Sequence, residues 1–263
     1  MRTSYHVHTY ISDGRCTISD HVRAAIAAGL DELGISDHYT LIPGKQTIWS
    51  MPEDGIADYM RKLESAREEA GDRLVIRLGL EVDYIAESID KIAETLSSYP
   101  FDYAIGSVHF VGDFPVDSKA DFWENISQDQ RNDVIREYWW LIKRMAETGL
   151  FDFAGHLDLY KKFGHKATVD LSAEINAALD AIEAAGMAVE LNTAGMHYAG
   201  EVYPSRAILQ QCHDRGIPSL VTSDAHVSEH LTRGHNYGIA ELREVGYTQQ
   251  ATFANRKMTL VDL

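Results

Sequence analysis

Read for apolar and polar positions, the chain repeats one unit: a short run of mostly apolar residues, then a longer stretch with helical periodicity. The first run spans about Ser4–Thr9. It leads to a predicted helix near Ser19–Ala28, which Gly29 closes where glycine relieves left-handed strain. Glu32–Ser36 precedes an amphipathic segment over about Pro52–Ala70, ended by Gly71. Leu74–Asp83 reads as a strand, Glu87–Ser97 as a helix, Phe101–Val108 as a strand and about Gln128–Thr148 as a helix. Phe151–Gly155 then precedes Leu171–Ala185, Ala188–Leu191 precedes Pro204–Arg215, and Ser219–Thr222 precedes a last helical region from about Ser228. Seven strand–helix alternations predict an α/β fold with a parallel sheet and crossover helices. Right-handed crossovers repeated this often close into a barrel. The length of 263 residues suits a single domain over 1–263. An open doubly wound sheet is the alternative, but no G-x-G-x-x-G opens the first helix, so a dinucleotide site has no support.

The residues that end each apolar run change the picture. They are His6 and His8, Asp37 and His38, Glu81 and Asp83, His109, His156 and Asp158, Glu190 and Asn192, and Asp224 and His226. In an α/β barrel the C-terminal strand ends converge on one face, where the active site lies. Histidine is only 12 of 263 residues, yet five of the seven ends carry one. A lone histidine after a strand is usually a plain loop residue; recurrence in register points to a metal centre instead. In His6-x-His8 the alternate residues of a strand face the same side, so both imidazoles can reach one ion. Adding Asp224 and His226 nearly fills a tetrahedral site, so at least two ions are expected. Imidazole and carboxylate ligands without thiolate suit Zn, Mn or Fe. Glu81 is the natural bridging carboxylate. Asp13, in a Ser-Asp-Gly turn, is a candidate ligand or a simple turn former.

Composition narrows the partners. The formal net charge is −16 and no Lys/Arg run is present, which disfavours nucleic acid as a partner. The two cysteines, Cys16 and Cys212, form no CxxC and support neither a disulfide framework nor a thiolate zinc site. The N-terminus lacks the apolar core of a secretion signal, and no run approaches the ~18 apolar residues of a membrane span. A cytoplasmic protein without a membrane partner is expected.

The motifs HVHT, the following SDG, then SDH, GLEVDY, GSVH, GHLD and SDAH resemble the PHP (polymerase and histidinol phosphatase) superfamily. Without an inserted domain, the chain is similar to its monofunctional histidinol-phosphate phosphatases, as are GHLDLYKKFG and ELNTAGMHYAGEVYPS. The resemblance implies a distorted (β/α)7 barrel. It implies a first metal on His6, His8, Glu81 and Asp224, and a second on Glu81, His109 and His156. A third would sit on Asp13, His38 and His226. Some members of that family carry histidine where Asp13 stands, and others aspartate. Glu81, Asp224 and His226 are the expected catalytic set. The implied reaction is hydrolysis of L-histidinol phosphate in histidine biosynthesis, with two close ions lowering the pKa of a shared water.

Outside the cluster, Lys161, Lys162 and His197 are candidate substrate-binding groups. His21 and His213 are read as solvent-facing helix residues, and His165, His230 and His235 receive no role. Trp123, Trp139 and Trp140 are read as packing. Competing readings are a phosphoesterase for another small phosphoester such as a nucleotide, a metal amidohydrolase, and a non-enzymatic metal-binding module. The amidohydrolase reading is weakened because such barrels typically use a carboxylated lysine where this chain has Glu81.

Overall fold

Parallel strands form the centre of the structure, a computed structural model that describes residues 1–45 and 47–263. In chain order the strands are β1 (Thr3–Ser4), β2 (Glu32–Ile35), β3 (His38–Tyr39), β4 (Val75–Asp83), β5 (Tyr103–Ser107), β6 (Phe110–Val111), β7 (Phe114–Pro115), β8 (Phe153–Ala154), β9 (Ala188–Asn192), β10 (Ser219–Thr222), β11 (Gln249–Ala254) and β12 (Lys257–Asp262). The helices are α1 (Ile18–Ala28), α2 (Ile56–Ala70), α3 (Ile89–Ser98), α4 (Ala120–Glu124), α5 (Gln128–Glu147), α6 (Ser172–Ala184), α7 (Gly195–Tyr198), α8 (Arg206–Asp214) and α9 (His235–Val245). Among the described residues, no helix is long and apolar enough to cross a membrane.

The strands β1, β2, β4, β5, β8, β9 and β10 pair in that order, and every pair is parallel. The sheet then turns back on itself. Val7 bridges Ala225 in parallel, with the His8 N–H donating to the Ala225 carbonyl (2.9 Å) and the Ala225 N–H to the His6 carbonyl (3.0 Å). The result is a nearly closed seven-stranded barrel with the crossover helices outside it.

The first strand is shorter than the expected Ser4–Thr9 because side chains replace its ladder partners. The Val7 N–H donates to Ser36 Oγ (2.9 Å) and the Thr9 N–H to Asp37 Oδ1 (2.7 Å). The segment from Pro52 opens as a tight turn over Glu53–Gly55 before α2 begins at Ile56. The region from Ser228 likewise begins with a single turn, and α9 starts only at His235.

One element was not expected. After α9 the chain forms an antiparallel hairpin, β11–β12, turning through Asn255 and Arg256, both at positive φ (50° and 61°). Two consecutive residues with positive φ make the turn whose twist suits a hairpin. The hairpin seals the N-terminal mouth of the barrel. Phe253 packs on Tyr5, Tyr103 and Phe153, with ring centroids 6.0, 6.2 and 5.3 Å away. Its turn is tied to the strand starts, since the Asn255 N–H donates to Asp102 Oδ1 (3.0 Å) and Arg256 Nε to Asp152 Oδ2 (2.6 Å). Gly34 and Gly79 make room for Tyr103; a Cβ at either would stand 2.2 Å from atoms of its ring or hydroxyl.

Trp123 and Trp139 are fully buried as expected, whereas Trp140 is 48% exposed, so its packing role is corrected. Replacing Phe253 by Ala is expected to destabilise the fold by about 3–5 kcal/mol, the usual cost of removing a buried phenyl ring. Urea denaturation reads this directly, and a loss under about 1 kcal/mol would mean the hairpin is not part of the barrel's packing.

Candidate metal centre

The opposite mouth collects the histidines and carboxylates. Glu81 lies near the end of β4, and the register of β3 on β4 sets His38 directly beside it. His6 and His8 flank the Val7 bridge and point inward together, with ring centroids 5.1 Å apart. His109 follows β5, His156 follows β8, and Asp224 and His226 follow β10. Asp13 arrives from the loop after the first strand. That loop is held by Asp37, whose carboxylate accepts from Thr9 N–H (2.7 Å), Thr9 Oγ1 (2.8 Å) and Ser12 Oγ (2.6 Å).

Around the Glu81 carboxylate the spacing is short. Oε2 lies 3.1 Å from His6 Nε2, 3.4 Å from His8 Nε2 and 2.9 Å from His38 Nδ1. Oε1 lies 3.1 Å from His156 Nε2 and 3.6 Å from His109 Nε2. Asp224 Oδ1 is 3.8 Å from His6 Nε2, 3.3 Å from His8 Nε2 and 3.4 Å from His226 Nδ1. Asp13 Oδ1 is 3.3 Å from His226 Nε2 and 3.7 Å from His38 Nε2. All nine expected ligands are thus brought to one place. Four overlapping subsets have donor atoms within 4.8 Å of one another: His8, Asp13, His38 and His226; His6, His8 and Glu81; His6, His156 and Asp224; and His38, Glu81 and His109.

Several of these atoms are close without being aligned to bond each other. His6 Nε2, both ring nitrogens of His8, His38 Nδ1, Glu81 Oε2 and Asp224 Oδ1 are buried with no hydrogen-bond partner among the described residues. Buried polar atoms are normally satisfied. Lone pairs that converge on common points while bonding nothing are the donor set a divalent cation requires, so the residues fit such ions. The electrostatics agree. Burial opposes ionisation of Glu81, yet His6, His38, His109 and the bond to His156 hold its carboxyl well below the usual range. Asp224 is likewise held well down, against burial, by His6, His8 and His226. Burial, with His38 and His226 nearby, pushes His8 down to about 3, leaving it the neutral imidazole that metals bind.

Behind these groups stand two further strand-end carboxylates, Glu190 and Asp83. Glu190 accepts from His6 Nδ1 (2.8 Å) and Thr222 Oγ1 (2.8 Å) on one oxygen. Its other oxygen accepts from the His156 N–H (2.7 Å) and Asn192 Nδ2 (2.9 Å). Asp83 lies 2.8 Å from His109 Nδ1 and also accepts that residue's N–H at 3.0 Å. Both carboxylates occupy the nitrogen that faces away from the cluster, so each ring presents Nε2 to it. The i, i+2 spacing of Glu81 and Asp83 on one strand was the available signal. Asp224 itself has φ 49°, an uncommon conformation for a non-glycine residue. It is held there by the Ala225 contacts with the first strand and by Arg233, whose Nη2 donates to the Ser223 carbonyl at 2.9 Å.

A cavity of about 700 Å³ opens over the cluster. Lys162 lines it, but Lys161 does not. Lys161 is buried against Asp158 (2.8 Å) and donates to the Val202 carbonyl (2.8 Å), so its charge is already matched and its candidacy is withdrawn. His197 is exposed and packs edge-on against Tyr198, a residue of the cavity wall, without lining the cavity itself. In its place the wall carries Arg15, His230 and Arg233, brought in by loops whose sequence gave no hint of convergence. His21 is not solvent-facing; it is fully buried with Nε2 3.1 Å from the His8 carbonyl.

Comparison with known proteins places this geometry. A family model described as PHP domain matches residues 4–194. A probable histidinol-phosphatase of Deinococcus radiodurans is 32% identical over 255 residues, covering 96% of each chain. The histidinol-phosphatase of Bacillus subtilis is 28% identical over 246 residues, 84% of this chain and 92% of the other. Among solved structures, the histidinol phosphate phosphatase of Lactococcus lactis subsp. lactis, complexed with Zn, L-histidinol and phosphate, superposes with a TM-score of 0.83 at 23% identity over 98% of both chains. With the family model spanning most of the sequence, and a relative 32% identical along nearly all of it, this chain belongs to the PHP domain family.

Proposed function

We propose that this chain is a metal-dependent phosphatase that hydrolyses L-histidinol phosphate to L-histidinol and phosphate. The observation that carries the reading is the convergence of six imidazoles and three carboxylates around Glu81, at the mouth of a cavity whose wall adds Arg15, Lys162 and Arg233. The names of the relatives, and the molecules bound in the Lactococcus lactis structure, support the choice of substrate. His6, His8, Glu81 and Asp224 would hold one divalent ion; Glu81, His109 and His156 a second; Asp13, His38 and His226 a third, which His8 Nδ1 also approaches, 4.0 Å from Asp13. Zn, Mn and Fe all suit this ligand set. When bound, such ions polarise phosphoryl oxygens and lower the pKa of water toward neutrality.

The chain's own residues do the rest. Glu81, Asp224 and His226 are the residues assigned to the catalytic centre, and Glu81 has one oxygen beside His6, His8 and His38 and the other beside His109 and His156. Glu190 and Asp83 hold Nδ1 of His6 and His109, so each ring turns Nε2 toward the cluster, where it would be free to bind an ion once its proton is displaced. Arg15, Arg233 and Lys162 supply positive charge for the phosphoryl oxygens. Lys162 and Arg233 are half-buried, where charge is screened less than in open water, whereas Arg15 is exposed.

Phosphate release tests the substrate. The kcat/KM for histidinol phosphate should exceed that for nucleotides and sugar phosphates, with metal content measured on the same sample; a higher value for any of those compounds would remove the assignment. Glu81→Gln is expected to abolish turnover and lower bound metal by at least one ion per chain, read by elemental analysis, and full retention of both would refute its central role. Glu190→Gln leaves the ligand set intact and loosens His6, so metal affinity or activity should fall about 10–100-fold. An unchanged metal titration and unchanged rate would show that Glu190 does not orient the ring.

A further inference from the structure

The ligands of the cluster do not share one setting. The side chains of His6, His8, His38, Glu81, His109 and His156 are all buried, whereas those of Asp13 and His226 are 34% and 36% exposed. Asp13 reaches the cluster from a turn in the loop after the first strand, so its place depends on how that loop is held. Three contacts hold it. The Gly14 backbone lies so close to His8 that a Cβ there would stand 2.3 Å from the His8 carbonyl oxygen. The Arg15 N–H donates to the His226 carbonyl (2.7 Å). The third contact is Asp37, which is fully buried. Its Oδ1 accepts from the Thr9 N–H (2.7 Å) and Ser12 Oγ (2.6 Å), and its Oδ2 from Thr9 Oγ1 (2.8 Å), which itself accepts the Ile11 N–H (3.2 Å). Asp37 directly precedes His38, and its backbone carbonyl accepts the Glu81 N–H (3.2 Å). Its carboxylate belongs to none of the donor groups of the cluster. A carboxylate is costly to bury, yet this one stands outside the ligand set and commits both oxygens to a single loop.

We propose that Asp37 is a positioning residue that sets the affinity of the outermost ion site, formed by Asp13, His38 and His226, without touching the ion. The inference rests on the metal-dependent reading above and deepens it by naming what controls one of its sites. Asp37 joins two parts of that site. It is the chain neighbour of His38, and through Thr9 and Ser12 it holds the loop that carries Asp13. Asp13 Oδ1 stands 3.3, 3.7 and 4.0 Å from nitrogens of His226, His38 and His8. Metal–ligand distances tolerate deviations of only about 0.2 Å, so a loop released from Asp37 loses Asp13 as a donor. The sites around Glu81 draw on residues at the strand ends and keep theirs. One buried carboxylate therefore acts on one ion and not on the whole cluster.

The test dialyses the zinc-loaded protein against buffers of decreasing free zinc and reads bound zinc per chain by elemental analysis. Asp13→Ala marks which step of the release curve belongs to the outermost site. Asp37→Asn, which keeps the shape and removes the charge, is expected to move that step to about tenfold higher free zinc or more, and to leave the other steps within about twofold. Thr9→Val combined with Ser12→Ala leaves Asp37 in place and removes its side-chain partners, so it should move the same step in the same direction. This double variant decides the matter if Asp37→Asn does not fold. Phosphate release by Asp37→Asn should recover as free zinc is raised, which general damage to the fold would not allow. All steps moving together, or none moving, overturns the proposal, as does a release curve with no step that Asp13→Ala abolishes. Each of these results leaves the phosphatase reading standing, because phosphate release by the wild type tests that separately.

Discussion

The carboxylate of Glu81 is the group around which everything else is arranged. It is 1% exposed and lies within 3.6 Å of nitrogens from five different histidines. A buried carboxylate among apolar strands would ordinarily take up a proton and become neutral. Here the surrounding imidazoles hold its carboxyl well below the usual range. No single local segment could supply that environment. Five partners drawn from residues 6 to 156 must reach the same few cubic ångströms, so the demand is on the fold's register more than on any one interaction.

Parallel closure meets that demand. Each strand contributes its C-terminal end to one mouth, and the pairing His38 to Glu81 is fixed by the backbone ladder before any side chain chooses a rotamer. The weakest point of the ring is the join between the first and last strands, a single bridge at Val7 and Ala225. It lies between His6 and His8 on one side and next to Asp224 on the other. Asp224 takes up its positive φ at this join, where strain of about 1–3 kcal/mol is typical for such a conformation. The ligands therefore staple the seam that delivers them. At the other mouth the aromatic seal around Phe253 holds the strand starts, so the two ends are secured by different physics: apolar packing below, charge above.

The sequence made the upper end legible because its signals are local. Seven apolar runs each ending in histidine or an acid can be read without knowing the fold, and the i, i+2 spacing at His6 and His8 needs only strand periodicity. The lower end was hidden. A hairpin of polar-looking alternation, QQATFA and KMTLVD, gains its meaning from the barrel mouth it covers. Lys161 and Lys162 show the limit most plainly. They are neighbours in sequence and equal in charge, yet one is neutralised by Asp158 in the interior and the other lines the cavity. Only the turn that carries them decides which. His21 was misplaced for the same reason, since its helix face is defined by the His8 carbonyl it touches.

Charge also has to be reconciled across scales. The chain carries a formal −16, yet its proposed substrate is an anion. With neutral imidazoles, Asp13, Glu81 and Asp224 carry −3 and Glu190 and Asp83 behind them a further −2, so two divalent ions, once bound, would bring this centre from −5 to −1 and a third would make it +1. Arg15, Arg233 and Lys162 against Asp117 add three positive charges and one negative, a further +2 at the wall. With ions bound, the local charge at the cavity would turn positive against the negative charge of the chain as a whole. A compact phosphate can sit wholly inside that positive region. Selection for a small phosphoester is in this sense a property of length scale, set by how far the positive region extends, before any contact with the alcohol portion is made.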